Sequence, residues 1–194
     1  MMDDVALRVR MAPELPDGLL AHIDRVVALG EELARRHGLD VATVRLAAQG
    51  HDLLRAVPDA ELLECAEARG LELDPVERAA PVMLHGPLAA LELQERFGVE
   101  DADALEAVWW HTTGHPEYSR EAWAMFVADK VEPSKVSRTP GLAAIRELAD
   151  ESLEEATLAY LEFRLVEAVE RRWQVHPMST LARNALLARG FGGP

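Results

Sequence analysis

Apolar residues recur through most of the chain at spacings of three and four, the period of a helix with one buried face. Leu19, Leu20, Ile23, Val26, Val27 and Leu33 trace the first stripe, with Asp17 as its cap, Gly38 as its end and His22 on it beside Ile23. Asp40 caps a second helix, in which Val44, Ala47 and Ala48 lead into Gly50-His51-Asp52. His51 continues the stripe from Ala47 and Asp52 continues it from Ala48, so both side chains are expected to point inward.

Pro58-Asp59 restarts the chain as a short helix to Gly70. Asp74-Pro75-Val76-Glu77 then reads as an N-cap, a proline at the first helical position and a capping-box acid. Pro81 cuts that helix and leaves His85-Gly86-Pro87 at a junction; the next helix runs from Pro87 to Phe97-Gly98. Asp101 or Asp103 opens another, which ends in Trp109-Trp110-His111 before a polar loop from Thr112 to Pro116. Ala122, Met125, Phe126 and Asp129 form an apolar stripe closed by a carboxylate, and Pro133 to Gly141 reads as a loop. Ser152 with Glu155 opens the longest predicted helix, to about Gln174; His176-Pro177 breaks it, and a last helix spans about Ser179 to Arg189.

Residues 1–16 lack the period and contain Pro13 and Pro16, which predicts an arm with one strand-like turn. Residues 190–194 read as a glycine-rich flexible tail, which leaves 17–189 as one all-α domain.

Composition agrees with packed helices: 49% of the 194 residues are hydrophobic but only 5% are aromatic. The formal net charge of −14 repels nucleic acid and anionic membrane, so neither is an expected partner. Cys65, the single cysteine, excludes an internal disulfide and a thiolate zinc cluster; beside Leu62 and Leu63 it reads as a small core residue. No run approaches about 18 apolar residues, and Asp3 and Asp4 spoil a signal-peptide start, so a cytoplasmic location is expected.

A lone His-Asp dipeptide more often marks a satisfied core pair than a ligand pair. Here, however, His22, His51, Asp52, His111 and Asp129 all fall on or at the end of apolar stripes, and His85 sits at a tight junction. Several imidazoles and two carboxylates on inner faces of different helices call for a shared partner, and a metal centre is the simplest. A set of histidines and carboxylates without thiolate suits iron, manganese or another borderline divalent ion better than magnesium or calcium.

His22…His51-Asp52…Asp129 resembles the signature of the HD-domain metal-dependent phosphohydrolases. Four further features narrow the resemblance: Leu84-His85-Gly86, His111-Thr112-Thr113-Gly114, Ala128-Asp129-Lys130-Val131-Glu132-Pro133, and Ala182-Arg183-Asn184 after His176-Pro177. Together they look like the YqeK-type hydrolases, which cleave diadenosine tetraphosphate symmetrically into two ADP; the resemblance covers residues 17–188.

It implies an HD-domain helical bundle with two divalent transition-metal ions, iron first among the candidates. One ion is implied at His22, His51, Asp52 and Asp129, and the second at His85 and His111 with Asp52 bridging. It also implies His51 and Asp52 at the catalytic centre and a metal-bridged hydroxide as nucleophile. Two ions about 3.5–4 Å apart can activate such a group and clamp an in-line displacement at phosphorus. The chain departs from the family pattern at Gln49-Gly50, where relatives carry two leucines, and at Arg55, where they carry lysine. Arg55 keeps the charge as a planar fork rather than a point charge.

Arg55, His115, Lys130, Lys135, Arg138 and Arg183 are the candidate contacts to a dinucleoside polyphosphate or other nucleotide. His37 reads as a dipole partner at a helix end, His176 as structural, and Trp109, Trp110 and Trp123 as core. A homodimer is left open. Two other functions compete: an HD-type phosphatase of nucleoside monophosphates, for which a four-ligand site suffices, and a non-catalytic nucleotide-sensing module.

Overall fold

The amino-terminal stretch is helical and not an arm with a strand-like turn. Asp3 accepts a hydrogen bond from the Ala6 amide at 2.7 Å and opens α1 (Asp4–Met11), whose Leu7 and Met11 are fully buried. Val5, Leu7, Val9 and Met11 alternate rather than recur at helical spacing, and the prolines behind them read as a break, so tertiary packing of Leu7 and Met11 decides this segment. The computed structural model describes residues 2–193; Met1 and Pro194, the outer ends of the expected arm and tail, lie outside the described residues.

Pro16 holds the cap position of α2 (Asp17–His37), so Asp17 is its first residue and not its cap. Asp40 caps α3 (Val41–Gly50) as its sequence predicts, accepting from the Ala42 amide at 2.8 Å. Next come α4 (Asp59–Ala68) and α5 (Pro75–Ala79), the latter opened by the Asp74–Glu77 capping box. A 3₁₀ turn, Pro81–Leu84, leads directly into α6 (His85–Glu95), which therefore starts two residues earlier than the proline suggested. Asp101 caps α7 (Ala102–Trp110), and Ser119 caps α8 (Arg120–Val131).

Two-thirds of the loop expected from Pro133 to Gly141 is α9 (Pro133–Arg138). Proline sits at its first turn, where the missing N–H has no partner to lose, and Glu132 accepts from the Ser134 amide at 2.8 Å. A helix the apolar pattern did not reveal, α10 (Leu142–Leu148), buries Leu142 and Ile145. Ser152 caps α11 (Leu153–Arg171), which at 19 residues is shorter than the 21 of α2 and stops before Gln174. His176 caps α12 (Pro177–Ala188) by accepting from the Met178 amide at 3.2 Å. Beyond it Phe191 packs on the core and the Gly192 amide bonds Glu155 at 2.9 Å. Every regular element among the described residues is helical.

The architecture is centred on α8, where every residue from Ala122 to Val131 is buried. A helix covered on all sides is a central one, and α2, α3, α7 and α11 pack against it. Asp129 and Lys130 are thereby carried into the core.

Two glycines set the approach of the neighbouring helices. A Cβ on Gly50 would lie 2.5 Å from Leu93 Cδ1, so glycine lets α3 end against α6 and deliver His51 and Asp52 there. A Cβ on Gly86 would lie 2.9 Å from the Trp109 carbonyl oxygen, and this close seating of α6 on α7 puts His85 beside His111. Cys65 packs half-buried against a small apolar cluster built on Leu62, Ala66, Leu84 and Leu88. Among the described residues no helix is long and apolar enough to cross a membrane.

Candidate metal centre

Five helical segments bring six side chains to one point. His22 comes from the second turn of α2, His51 and Asp52 from the end of α3, His85 from the first turn of α6, His111 from the C-cap of α7 and Asp129 from α8. Two groups form, His22 with His51 and Asp129, and Asp52 with His85 and His111; within each, three ligand-type atoms lie within 4.8 Å of one another. Asp52 joins them. Its Oδ2 faces His22 Nε2 at 3.6 Å and His51 Nε2 at 3.5 Å, while its Oδ1 faces His85 Nε2 at 3.1 Å and His111 Nε2 at 3.6 Å. Asp129 Oδ1 closes the first group at 3.2 Å from His22 Nε2 and 3.6 Å from His51 Nε2.

The ring orientations are those that a metal-binding set would need. His51 Nδ1 donates to the Ala48 carbonyl at 2.7 Å, His111 Nδ1 to the Val108 carbonyl at 2.7 Å, and His85 Nδ1 to the Val82 carbonyl. His22 Nδ1 faces the carboxylate of Glu132, 3.4 Å from Oε1. With its Nδ1–H directed at that acceptor, each ring presents a bare Nε2 to the centre, the arrangement usual for metal-ligating histidine. His85 Nε2 and His111 Nε2 lie 2.8 Å apart, a separation that a shared proton or a shared metal ion accounts for. His51 Nε2 is buried and makes no hydrogen bond among the described residues. Four imidazole nitrogens and two carboxylates without sulfur fit borderline divalent ions.

The electrostatics favour positive charge at the same point. Burial opposes ionisation of Asp52, but His51, His111 and His85 outweigh it and hold its carboxyl well below the usual range. Burial likewise opposes charge on Asp129, and Lys130 and Lys135 outweigh it. Burial disfavours a proton on His51, yet Asp52 and Asp129 raise its pKa overall. Burial, with His85, His51 and Lys130 nearby, pushes His111 down to about 3, so it stays neutral. The chain has two lysines among its 20 basic residues, and both ammoniums reach Asp129, Lys130 to Oδ2 and Lys135 to Oδ1, each at 2.6 Å. Lys130 is further fixed by the His111 carbonyl at 2.8 Å.

A cavity of about 370 Å³ opens onto this centre, and Arg55, Lys130, Lys135 and Arg183 line it. Arg183 is paired with Glu162 at 2.6 Å. Arg138 lies outside it, in an adjoining crevice, with Nε on the Ser134 carbonyl. His115 is also outside: its ring stacks on Trp110 at 5.2 Å and its Nδ1 accepts from the Glu117 amide. His37 donates to the Ala149 carbonyl and so ties α2 to α10. Trp123 is core, and Trp109 and Trp110 pack half-buried beside it.

Sequence reasoning gives no site role to Glu132, Arg164 or Trp173, and reads His176 as structural. Glu132 is fully buried behind His22 and held by Arg25 Nε at 2.7 Å. It falls three residues after Asp129, the spacing of a shared helix face, and that was the available signal. Burial opposes charge on Glu132, and Arg25 with the Ser134 amide holds it below the usual range nonetheless. Arg164 and Trp173 line the cavity, as does His176, although nothing in the local pattern distinguishes them from surface or linker positions.

The comparisons follow this geometry. The HD domain family matches residues 19–134. A Bacillus subtilis (strain 168) protein named symmetrical bis(5'-nucleosyl)-tetraphosphatase is 27% identical over 175 residues, covering 90% of this chain and 92% of its own length. A Staphylococcus aureus protein of the same name is 29% identical over 141 residues, 72% of this chain and 71% of its own. A crystal structure from Clostridium acetobutylicum, described as a predicted HD superfamily hydrolase involved in NAD metabolism, superposes with a TM-score of 0.90 at 25% identity, over 97% of this chain and 99% of that one. The family match runs over more than half of the chain and encloses all six converging side chains; the protein belongs to the HD domain family.

Proposed function

We propose that this HD-type hydrolase acts on dinucleoside polyphosphates and cleaves diadenosine tetraphosphate symmetrically into two ADP. The observation that carries the reading is the division of Asp52, one oxygen toward each group of ligands. A site for one ion would leave His85 and His111 without a purpose, so the monophosphatase alternative gains nothing from this geometry. His22, His51 and Asp129 would hold one divalent ion and His85 with His111 the other, with Asp52 shared; the all-nitrogen-and-oxygen donor set makes iron the first candidate. Bound there, two such ions supply an activated water and neutralise charge on a reacting phosphoryl group.

The protein's own side chains do the rest. On a chain of net charge −14, the cavity is lined by Arg55, Lys130, Lys135, Arg164 and Arg183 against only two carboxylates, Asp52 and Asp129. A polyanion is therefore drawn to this cavity on a chain whose net charge is otherwise unfavourable to it. Lys130 is locked between Asp129 and the His111 carbonyl and holds the ligand in place. Lys135, on the cavity wall and less buried than Lys130, pairs with Asp129 Oδ1 and would have to turn from it to meet a phosphate, whereas the exposed Arg55 on the same wall makes no ion pair among the described residues. The balance is hydrolytic: water oxygen bonds to phosphorus, the central bridging P–O bond breaks, and the bridging oxygen departs with the second ADP. The similarity to relatives named symmetrical tetraphosphatases, over nine-tenths of the chain in the Bacillus subtilis case, supports this choice of bond.

Product analysis on the metal-loaded protein tests it. Diadenosine tetraphosphate should give ADP alone. AMP with ATP would refute the choice of bond, and no hydrolysis of any dinucleoside polyphosphate would overturn the substrate class.

A further inference from the structure

The family match ends at residue 134, but the cavity extends beyond it. Its far wall comes from α11, the segment 172–176 and α12. At the end of α11, Arg172 takes the left-handed conformation (φ 57°), the one non-glycine to do so among the described residues. That turn closes with the Trp173 amide on the Ala168 carbonyl at 2.8 Å, and it sends Trp173, Gln174, Val175 and His176 along the cavity.

The wall is chemically unlike the metal end. Leu161, Leu165, Ala168, Trp173 and Val175 give it an apolar surface, and Gln174 and Thr180 place polar groups beside it. Trp173 is 47% exposed, a large indole left at the cavity edge, with the Arg171 and Arg164 guanidiniums 4.7 and 5.7 Å from its ring centroid. His176 is buried in the same wall. Its Nδ1 accepts from the Met178 amide, so its proton is on Nε2, which makes no hydrogen bond among the described residues and has Glu77 Oε1 no nearer than 3.7 Å.

One cavity thus joins a cationic, metal-ligating end to an apolar and aromatic end with spare hydrogen-bonding groups. Phosphate alone has no use for the second end, whereas a nucleoside attached to phosphates matches both. We propose that the α11–α12 wall seats one nucleoside of the substrate, with Trp173 as the surface on which its base stacks. The inference rests on the nucleotide reading above and adds to it which part of the chain recognises the nucleoside.

The test compares binding of ADP and of pyrophosphate to the metal-loaded protein by calorimetry. Wild type should bind ADP more tightly. Trp173→Ala should weaken ADP by about tenfold or more, as loss of one stacked base does, and leave pyrophosphate and metal content unchanged. Trp173→Phe, which keeps an aromatic face, should recover most of the ADP affinity. Equal affinities of wild type for the two ligands, or a Trp173→Ala protein that binds ADP normally, would overturn the assignment. So would a Trp173→Ala protein that weakens both ligands alike, since that marks a structural role. If wild type binds neither ligand, the substrate class falls and the wall assignment falls with it.

Discussion

Shortening Glu132 by one methylene separates two roles that the structure gives to one carboxylate. Glu132 Oε2 accepts from Arg25 Nε at 2.7 Å and from the Ser134 amide at 2.8 Å, while Oε1 stands 3.4 Å from His22 Nδ1. Aspartate is the better N-cap and keeps the charge, so Glu132→Asp should preserve the start of α9 and the pairing with the flexible Arg25. It cannot keep the third contact. Withdrawing the carboxylate by about 1.5 Å, one C–C bond, takes an already long contact out of hydrogen-bond range. His22 then loses the partner that fixes its ring and tautomer, a loss that typically costs about 10–100-fold in metal affinity, or roughly 1.4–2.8 kcal/mol. The assay is elemental analysis after graded chelator challenge, with thermal melting of the chelated protein as control. Glu132→Asp should melt close to wild type yet surrender an ion at a chelator concentration wild type withstands. Glu132→Ala should do both damages, since loss of the cap costs about 1 kcal/mol in its own right. A Glu132→Asp protein that holds both ions as tightly as wild type would refute the reasoning.

Three further outcomes follow from the same geometry. Asp52→Ala should lose both ions, because each of its oxygens faces a different group, whereas His115→Ala, stacked on Trp110 outside the cavity, should keep its metals and most of its kcat; comparable losses would sink the shared-ligand assignment. Gly86→Ala should lower stability by about 1–3 kcal/mol by pressing a methyl on the Trp109 carbonyl, and should also weaken metal retention because His111 must shift; a neutral melting temperature with full metal content would contradict the packing. The chelated protein should be most stable near pH 6.5. Burial lowers His111 to about 3, so between 6.5 and that value the unfolded chain binds the extra proton, and stability falls with pH by up to about 1.4 kcal/mol per unit. His51, raised by Asp52 and Asp129 against its burial, acts in the opposite sense, its contribution being lost as pH climbs above 6.5. Urea unfolding at stepped pH checks this, and stability that keeps rising from pH 6 to 4 would exclude it.

What the sequence disclosed depended on whether a residue's role was written in the period of its own helix. His22, His51, Asp52 and Asp129 were visible because each occupies a position that the apolar stripe reserves for a hydrophobic side chain, and an ionisable group there needs a partner. The Asp40 cap and the Asp74–Glu77 box are visible because their chemistry is local, whereas for α7 the sequence offers Asp101 or Asp103 and the structure selects Asp101. α1 was not, since Leu7 and Met11 acquire meaning only from the groove they fill. Pro133 to Gly141 reads as a loop because a proline stops one helix and starts another equally well, and only the carboxylate of Glu132 on the Ser134 amide decides between them.

The same distinction divides the site itself. The end of the cavity that could hold metal is built from inner-face residues of α2, α3, α7 and α8 with the His85 junction, and a single sequence can flag those. The far wall is assembled where α11 ends, by a turn at an arginine that no local rule would place in the left-handed region, and its Trp173 and Arg164 sit at positions that read as ordinary surface. Ligand geometry is thus constrained by burial, which leaves a periodic trace. The surface that would choose among phosphorylated substrates is constrained only by what lies opposite it across the cavity, and that relation between distant segments exists in the folded chain alone.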